Sequence, residues 1–172
     1  MGDVRLPPGG LAEFRRAIED TSSQGAVRTL REAGRRLAAD AALAISDSSG
    51  SPLPALPLSD FFAELDRYFD EAGWGRLEHE VVNEGIGAII ATDWAESDPT
   101  EGRTAPGCHM STGLLAELLS RAGGQPVAVM EVGCRSQGKA KCRFLFGSPT
   151  TLLLVHRKLA RTVNPEEVLS GL

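Results

Sequence analysis

The sequence predicts a protein of the α+β class, helices combined with two antiparallel hairpins, and three observations carry that expectation. Val27, Leu30, Ala33, Leu37, Ala41 and Ala44 recur at spacings of three and four, the buried stripe of an amphipathic helix. WGRLEHEVVN alternates from Trp74 to Val82, meets the turn Asn83-Glu84-Gly85 and continues as GAIIATDW, which is a hairpin by its turn chemistry. PVAVMEVGC and KCRFLF then read as the strands of a second hairpin, joined by RSQGKAK.

Along the chain, residues 1–10 are expected to be a flexible N-terminus, and Leu11 to Ile45 to be helix in two pieces, broken around Ser22–Gly25. Gly34 lowers helix propensity inside the second piece, so a close helix–helix contact is expected there. Arg15, Arg16, Arg28, Arg31, Arg35 and Arg36 are expected on a solvated face. Ser46 to Pro57, rich in Ser, Gly and Pro, predicts a loop. Ser59 and Asp60 offer N-caps to FFAELDRYFDEAG, which Gly73 ends and which shows an apolar face of Phe61, Leu65, Tyr68 and Phe69. AESDPTEGRTAPG predicts a second loop, after which Cys108 opens the helix HMSTGLLAELLSRAGG with Leu114, Leu115, Leu118 and Leu119 facing the core. Ser148 and Pro149 start another helix, and Asn164-Pro165-Glu166-Glu167 carries a helix-start signature of cap, proline and acids. The whole of 1–172 is expected to be one domain, with 148–172 as a C-terminal helical extension.

Composition bounds the function. Hydrophobic content of 42% with 24% charged residues is that of a globular domain able to bury a core without disulfides. A net charge of −5 argues against a nucleic-acid partner, since phosphate binding needs a basic surface. No apolar run approaches the roughly 18 residues of a membrane span, and MGDVRLPPGG has no apolar stretch behind its charges, so a cytoplasmic location is expected. In that compartment clustered cysteines suggest metal more than disulfide, and the odd count of three points the same way.

Those three cysteines, with one glutamate, form the most informative pattern in the chain. Cys108, Glu131, Cys134 and Cys142 follow C-x22-E-x2-C-x7-C, four donors for a closed tetrahedral zinc site. Cys108 sits at a helix N-terminus, where free backbone N–H groups favour a thiolate. Glu131 and Cys134 are three apart and an ideal strand points them to opposite faces, so a bulge at Gly133 is needed to turn both to one point. Four anionic donors around a divalent cation leave a charge of about −2, which Arg135, Lys139, Lys141 and Arg143 are placed to offset. Spacing alone also allows three buried apolar cysteines beside a solvated Glu131. His79, His109 and His156 have no triad partner in the sequence and read as ordinary residues.

CHMSTGLLAELLSRAGGQPVAVMEVGCRSQGKAKCRF is similar to the C-terminal signature of the V4R (4-vinyl reductase-like) domain family: a Cys opening a helix, E-x-x-C ending a strand, G-x-x-x-C-R-F beginning the next. LREAGRRLAADAA, AGWGRLE and NPEEVLSGL also resemble family segments, so the likeness runs from about Leu11 onward. The family includes the sensor domains of phenol- and xylene-responsive transcription activators, in which zinc is held by three Cys and one Glu. Cys108, Glu131, Cys134 and Cys142 match those positions one by one. V4R domains are also akin to the Bet3-type subunits of TRAPP complexes. The resemblance implies a small antiparallel sheet of about four strands packed with helices, an enclosed apolar pocket, and a homodimer.

The chain departs from the activators in lacking the phosphate-binding G-x-x-x-x-G-K-[ST], and EGIGAII lacks the G-x-G-x-x-G spacing of a nicotinamide or flavin site. The expected function is a non-enzymatic sensor or carrier domain for a small hydrophobic, aromatic or lipid-like molecule, with Zn2+ as a structural cofactor. Trp94, at the end of its strand, is the candidate ligand contact. A pocket would be lined by the Phe61–Phe69 helix, the Gly87–Trp94 strand and the Leu114–Leu119 helix, and the apolar run Leu152–Val155 would serve dimerisation. A Bet3-like interaction or scaffold module is one alternative; an accessory protein or enzyme of tetrapyrrole (bacteriochlorophyll) metabolism is another.

Overall fold

Four strands, β1 (Arg76–Asn83), β2 (Ile86–Thr92), β3 (Ala128–Gly133) and β4 (Cys142–Gly147), form one antiparallel sheet in the order β1-β2-β4-β3. The structure is a computed structural model and describes residues 7, 9–21, 25–162, 168 and 171. The two hairpins expected from the sequence are joined through β2 and β4, in register from Ile86↔Gly147 to Ala91↔Cys142. β2 takes an inner position because it is apolar on both faces: Ile86, Ala88, Ile89 and Ala91 are all buried. β1, with Glu78, His79 and Glu80 exposed, is left at an edge. Five helices complete the α+β fold: α1 (Gly10–Thr21), α2 (Ala26–Ser49), α3 (Leu58–Glu71), α4 (His109–Gly123) and α5 (Pro149–Leu159).

One sheet face carries the main core. Phe61, Leu65 and Phe69 of α3 and Leu114, Leu115 and Leu118 of α4 pack with Ile89, Ala91, Phe144 and the three cysteines. Each fully buried side chain of this size contributes about 1.5–3 kcal/mol. α2 lies against α4 so closely that an added Cβ at Gly34 would sit 2.0 Å from the Met110 carbonyl oxygen, and one at Gly113 would sit 2.0 Å from that of Arg31. The close contact expected at Gly34 is therefore observed, and it needs a glycine from each helix. On the opposite face α5 inserts Leu152 and Val155 against Ile86, Ala88 and Leu145, while Leu153 and Leu154 remain exposed.

Several expectations need correction. α2 runs four residues past Ile45 into the segment read as loop, ending where Gly50 adopts φ 69° and donates its N–H to the Ser46 carbonyl. α3 begins at Leu58, ahead of Ser59 and Asp60, and has no side-chain cap; Pro57 precedes it, its carbonyl accepting from Phe61 N–H at 2.9 Å. Ser148 does cap α5, accepting from Thr151 N–H at 3.1 Å. Arg15 is not on a solvated face but fully buried. The helix start at Asn164–Glu167 and residues 1–6 lie outside the described residues.

Candidate metal centre

The sequence brings four donors to one point by three local devices. Cys108 immediately precedes α4; Cys134 follows β3; Cys142 opens β4 across the hairpin. The register of β3 against β4 shifts between Glu131 and Gly133, which is the bulge that the Glu131/Cys134 spacing requires. One ligand atom from each of Cys108, Glu131, Cys134 and Cys142 lies within 4.8 Å of all the others.

The distances discriminate between bonding modes. Cys108 Sγ stands 3.7 Å from Cys134 Sγ and 3.9 Å from Cys142 Sγ, far beyond a disulfide, and all three cysteines are free. Sulfurs bound tetrahedrally at about 2.3 Å from one zinc are roughly 3.8 Å apart. Glu131 Oε2 accepts from the Cys108 backbone N–H at 2.8 Å, while its Oε1 is buried with no partner. An orphaned carboxylate oxygen beside three thiols is what a fourth ligand position looks like, and the residues fit a divalent cation.

Electrostatics agree. Burial, with the charge at Cys134 added, pushes Glu131 up to about 9. Thiol hydrogen bonds from Cys108 and Cys142 hold Cys134 far below the usual thiol range, and the reciprocal bond to Cys134 keeps Cys108 well above it. The other donors contribute to each of these shifts, and four ionised donors at this separation require a cation among them. Three of the adjacent side-chain cations are engaged elsewhere: Arg135 pairs with Asp93 at 3.3 Å, Lys141 with Glu78 at 3.4 Å, and Arg143 with Glu80. The Arg135 main-chain N–H does reach Cys142 Sγ, at 3.4 Å.

Beside the cluster lies a polar network that sequence reasoning missed. Glu96 is fully buried and covers the start of α4, accepting from the N–H groups of Met110 at 2.9 Å and Ser111 at 2.7 Å, and from the Ser111 hydroxyl. The Ser111 oxygen in turn accepts from Trp94 Nε1 at 2.7 Å. Behind Glu96, buried Arg15 of α1 binds Glu19 at 2.9 Å and Glu101 of the 95–107 loop. Arg16 to Asp98 and Arg103 to Glu19, at 2.9 and 2.8 Å, extend this tie between α1 and the loop that leads to Cys108.

Trp94, the candidate ligand contact, is fully buried among Phe69, Trp74 and Phe144, with ring centroids 5.3, 5.7 and 6.4 Å away. The helices and strand expected to line a pocket meet in this same core. His79 stacks on Phe62 at 4.0 Å, His156 is exposed, and burial with the charge of Arg31 lowers the affinity of His109 for a proton. None of the three belongs to the cluster.

Residues 94–148 match the family model described as the V4R domain. The crystal structure of the phenol-responsive sensory domain of the transcription activator PoxR, with phenol, is similar with a TM-score of 0.67 at 17% identity, covering 98% of this chain and 83% of that one. A vinyl-4-reductase family protein from Methanocaldococcus jannaschii gives 0.57 at 21% identity, covering 84% and 82%. A trafficking protein particle complex subunit 3 from Naegleria fowleri, covalently bound to palmitic acid, gives 0.58 at 10% identity, covering 80% and 93%. At these identities the likeness is one of fold. No functionally curated protein matches the sequence.

Proposed function

We propose, starting from a chain whose residues 94–148 match the V4R domain family and whose fold is that of V4R and Bet3-like proteins, that this protein is a ligand-sensing domain built around a structural zinc. The convergence of Cys108, Glu131, Cys134 and Cys142, with one carboxylate oxygen otherwise orphaned, is the observation that carries the metal assignment. Zinc with four protein donors has no open position for water or substrate, so its contribution is to hold structure rather than to catalyse. The chain's own residues define what is held. Cys108 anchors the start of α4, Cys134 and Cys142 anchor the β3–β4 hairpin, and Glu131 braces both through the Cys108 N–H.

The proposed ligand is a small apolar or aromatic molecule, as the fold shared with a phenol-bound sensory domain and a palmitate-bearing subunit supports. Trp94 is the residue we assign to it. Its indole N–H is tied through Ser111, three residues from Cys108, to Glu96 at the N-terminus of α4. Half-buried Trp74 forms the outer ring of the same aromatic cluster and marks the way in. Entry there separates Trp94 from Phe69 or Trp74, and α4 feels the change through Ser111. Exposed Leu153 and Leu154 on α5, 48% and 55% accessible, are the proposed contact of a homodimer, and the proposed location is cytoplasmic.

A thermal-shift and tryptophan-fluorescence series of phenols, fatty acids and tetrapyrroles tests the ligand. A molecule at 100 times its dissociation constant adds about 2.7 kcal/mol of stability. A raised melting point with a Trp94 signal supports the reading; no response from any class removes it. The tight aromatic filling around Trp94 favours a Bet3-like interaction module as the second reading, and that failure would leave it standing.

A further inference from the structure

The free edge of β3 opens onto a groove of about 420 Å³. Among the described residues β3 pairs only with β4; its six residues AVMEVG are all partly exposed and include no lysine or proline, and its bulge is confined to the Glu131–Gly133 end, away from Ala128 and Val129 at the groove. Thr112, Ala116 and Ser120 of α4, small residues at intervals of one helical turn, make the floor, and Arg31 and Arg35 of α2 stand on the far wall. The geometry of these walls follows from their contacts. Gly34 meets Met110 and Gly113 meets Arg31, so α2 runs antiparallel to α4. Val127 N–H binds Ser120 Oγ near the end of α4 and Glu131 binds Cys108 at its start, so β3 also runs antiparallel to α4. α2 and β3 therefore run in the same direction along the two sides of the groove.

The charges are uneven. Nine arginines of this acidic chain, Arg15, Arg16, Arg36, Arg67, Arg76, Arg103, Arg121, Arg135 and Arg143, each hold a carboxylate. Arg31 and Arg35 are exposed and hold none among the described residues, and Arg28, one turn away, extends the same positive face. The nearby acids are engaged elsewhere, Glu117 with Arg121 at 2.8 Å and Glu32 with Arg36 at 3.1 Å. One helical turn separates Arg31 from Arg35, about 6 Å of rise. Alternate residues of an extended chain are about 6.7 Å apart and face one way.

We propose that this groove docks an extended acidic segment of a partner protein, which adds as a strand to the free edge of β3 while its alternate carboxylates meet Arg31 and Arg35. A second copy of this chain suits the groove less well, because two-fold pairing through β3 brings one pair of arginines toward the other.

Fluorescence anisotropy with a labelled peptide alternating Glu and Thr tests the proposal on the full chain. Binding should weaken with salt, and Arg31→Ala with Arg35→Ala should weaken it about tenfold, as two exposed charge contacts imply. Both arginines are exposed and hold no carboxylate among the described residues, so the double variant should keep the parent melting point. N-methylation of alternate peptide nitrogens should abolish binding, and a Gln-for-Glu peptide should bind as poorly as the Glu peptide binds the double variant. No binding, binding unaffected by N-methylation, or an equal affinity of the double variant overturns the proposal. Competition by free succinate or inorganic phosphate as strong as that of the peptide would assign the groove to small anions instead. Self-association abolished by the same two substitutions would assign it to a second copy. Either result overturns the strand-addition reading and leaves the zinc and ligand assignments untouched.

Discussion

Ser111 and Glu96 are joined twice, by the Ser111 main-chain N–H at 2.7 Å and by its hydroxyl, although Glu96 lies fifteen residues earlier, in a loop. The pair places a buried carboxylate at the N-terminus of α4, where the helix dipole and three donors favour its charge while burial opposes it. Burial outweighs the rest and raises Glu96 to about 7.

A pH dependence follows from that balance. The folded state holds its proton more tightly than the unfolded state does, so this carboxyl costs nothing below its ordinary 4.5 and lowers stability progressively up to about 7. Glu96→Gln removes the titration. Urea unfolding across that range should show the difference in stability between parent and variant changing with pH; a constant difference would mean that Glu96 does not titrate in this window.

Arg15 and Arg16 are neighbours with opposite expectations. Arg15→Ala removes a fully buried guanidinium and leaves Glu101 with Arg16 alone, and should cost about 3 kcal/mol. Arg16→Ala, at a side chain about one-third exposed with ion pairs to Asp98 and Glu101, should cost markedly less, because solvent screens those pairs. Similar losses of melting temperature for the two variants would show that the Arg15 network carries no special share of stability.

Packing between α2 and α4 yields a contrast among glycines. Gly34→Ala and Gly113→Ala press a methyl group onto backbone atoms, which cannot turn aside, and each should cost about 3 kcal/mol. Gly123→Ala, near the end of α4 with nothing within 4 Å, should gain about 0.5–1 kcal/mol from helix propensity. Calorimetry on the three variants checks both signs.

What was legible in the sequence was mostly local. Alternation around Asn83-Glu84-Gly85 marked the first hairpin, and the Cys-Glu spacing required the bulge now seen between Glu131 and Gly133. The pairing of β2 with β4 was not legible, because contact between two hairpins leaves no periodicity in either. Arg15 and Glu96 were missed for a related reason. Arg15 follows buried Leu11 and Ala12 on α1, which was a signal that it shares their face. Glu96 sits among Asp98 and Glu101, and only the folded loop distinguishes the one that meets α4.

If zinc is structural, Cys134→Ser should destabilise the whole domain, since the free energy of metal binding is then part of folding. His79→Ala should change little, because His79 is exposed and its main contact is stacking on Phe62. Equal melting temperatures for the Cys134 variant and the parent would deny the cluster a structural role.

Elemental analysis of the purified native protein, paired with thiol titration, distinguishes a zinc-filled cluster from three free thiols. About one zinc per chain is expected, with Cys108, Cys134 and Cys142 unreactive until a chelator or denaturant is added. Metal-free protein with three freely titrating thiols in the folded state would contradict it.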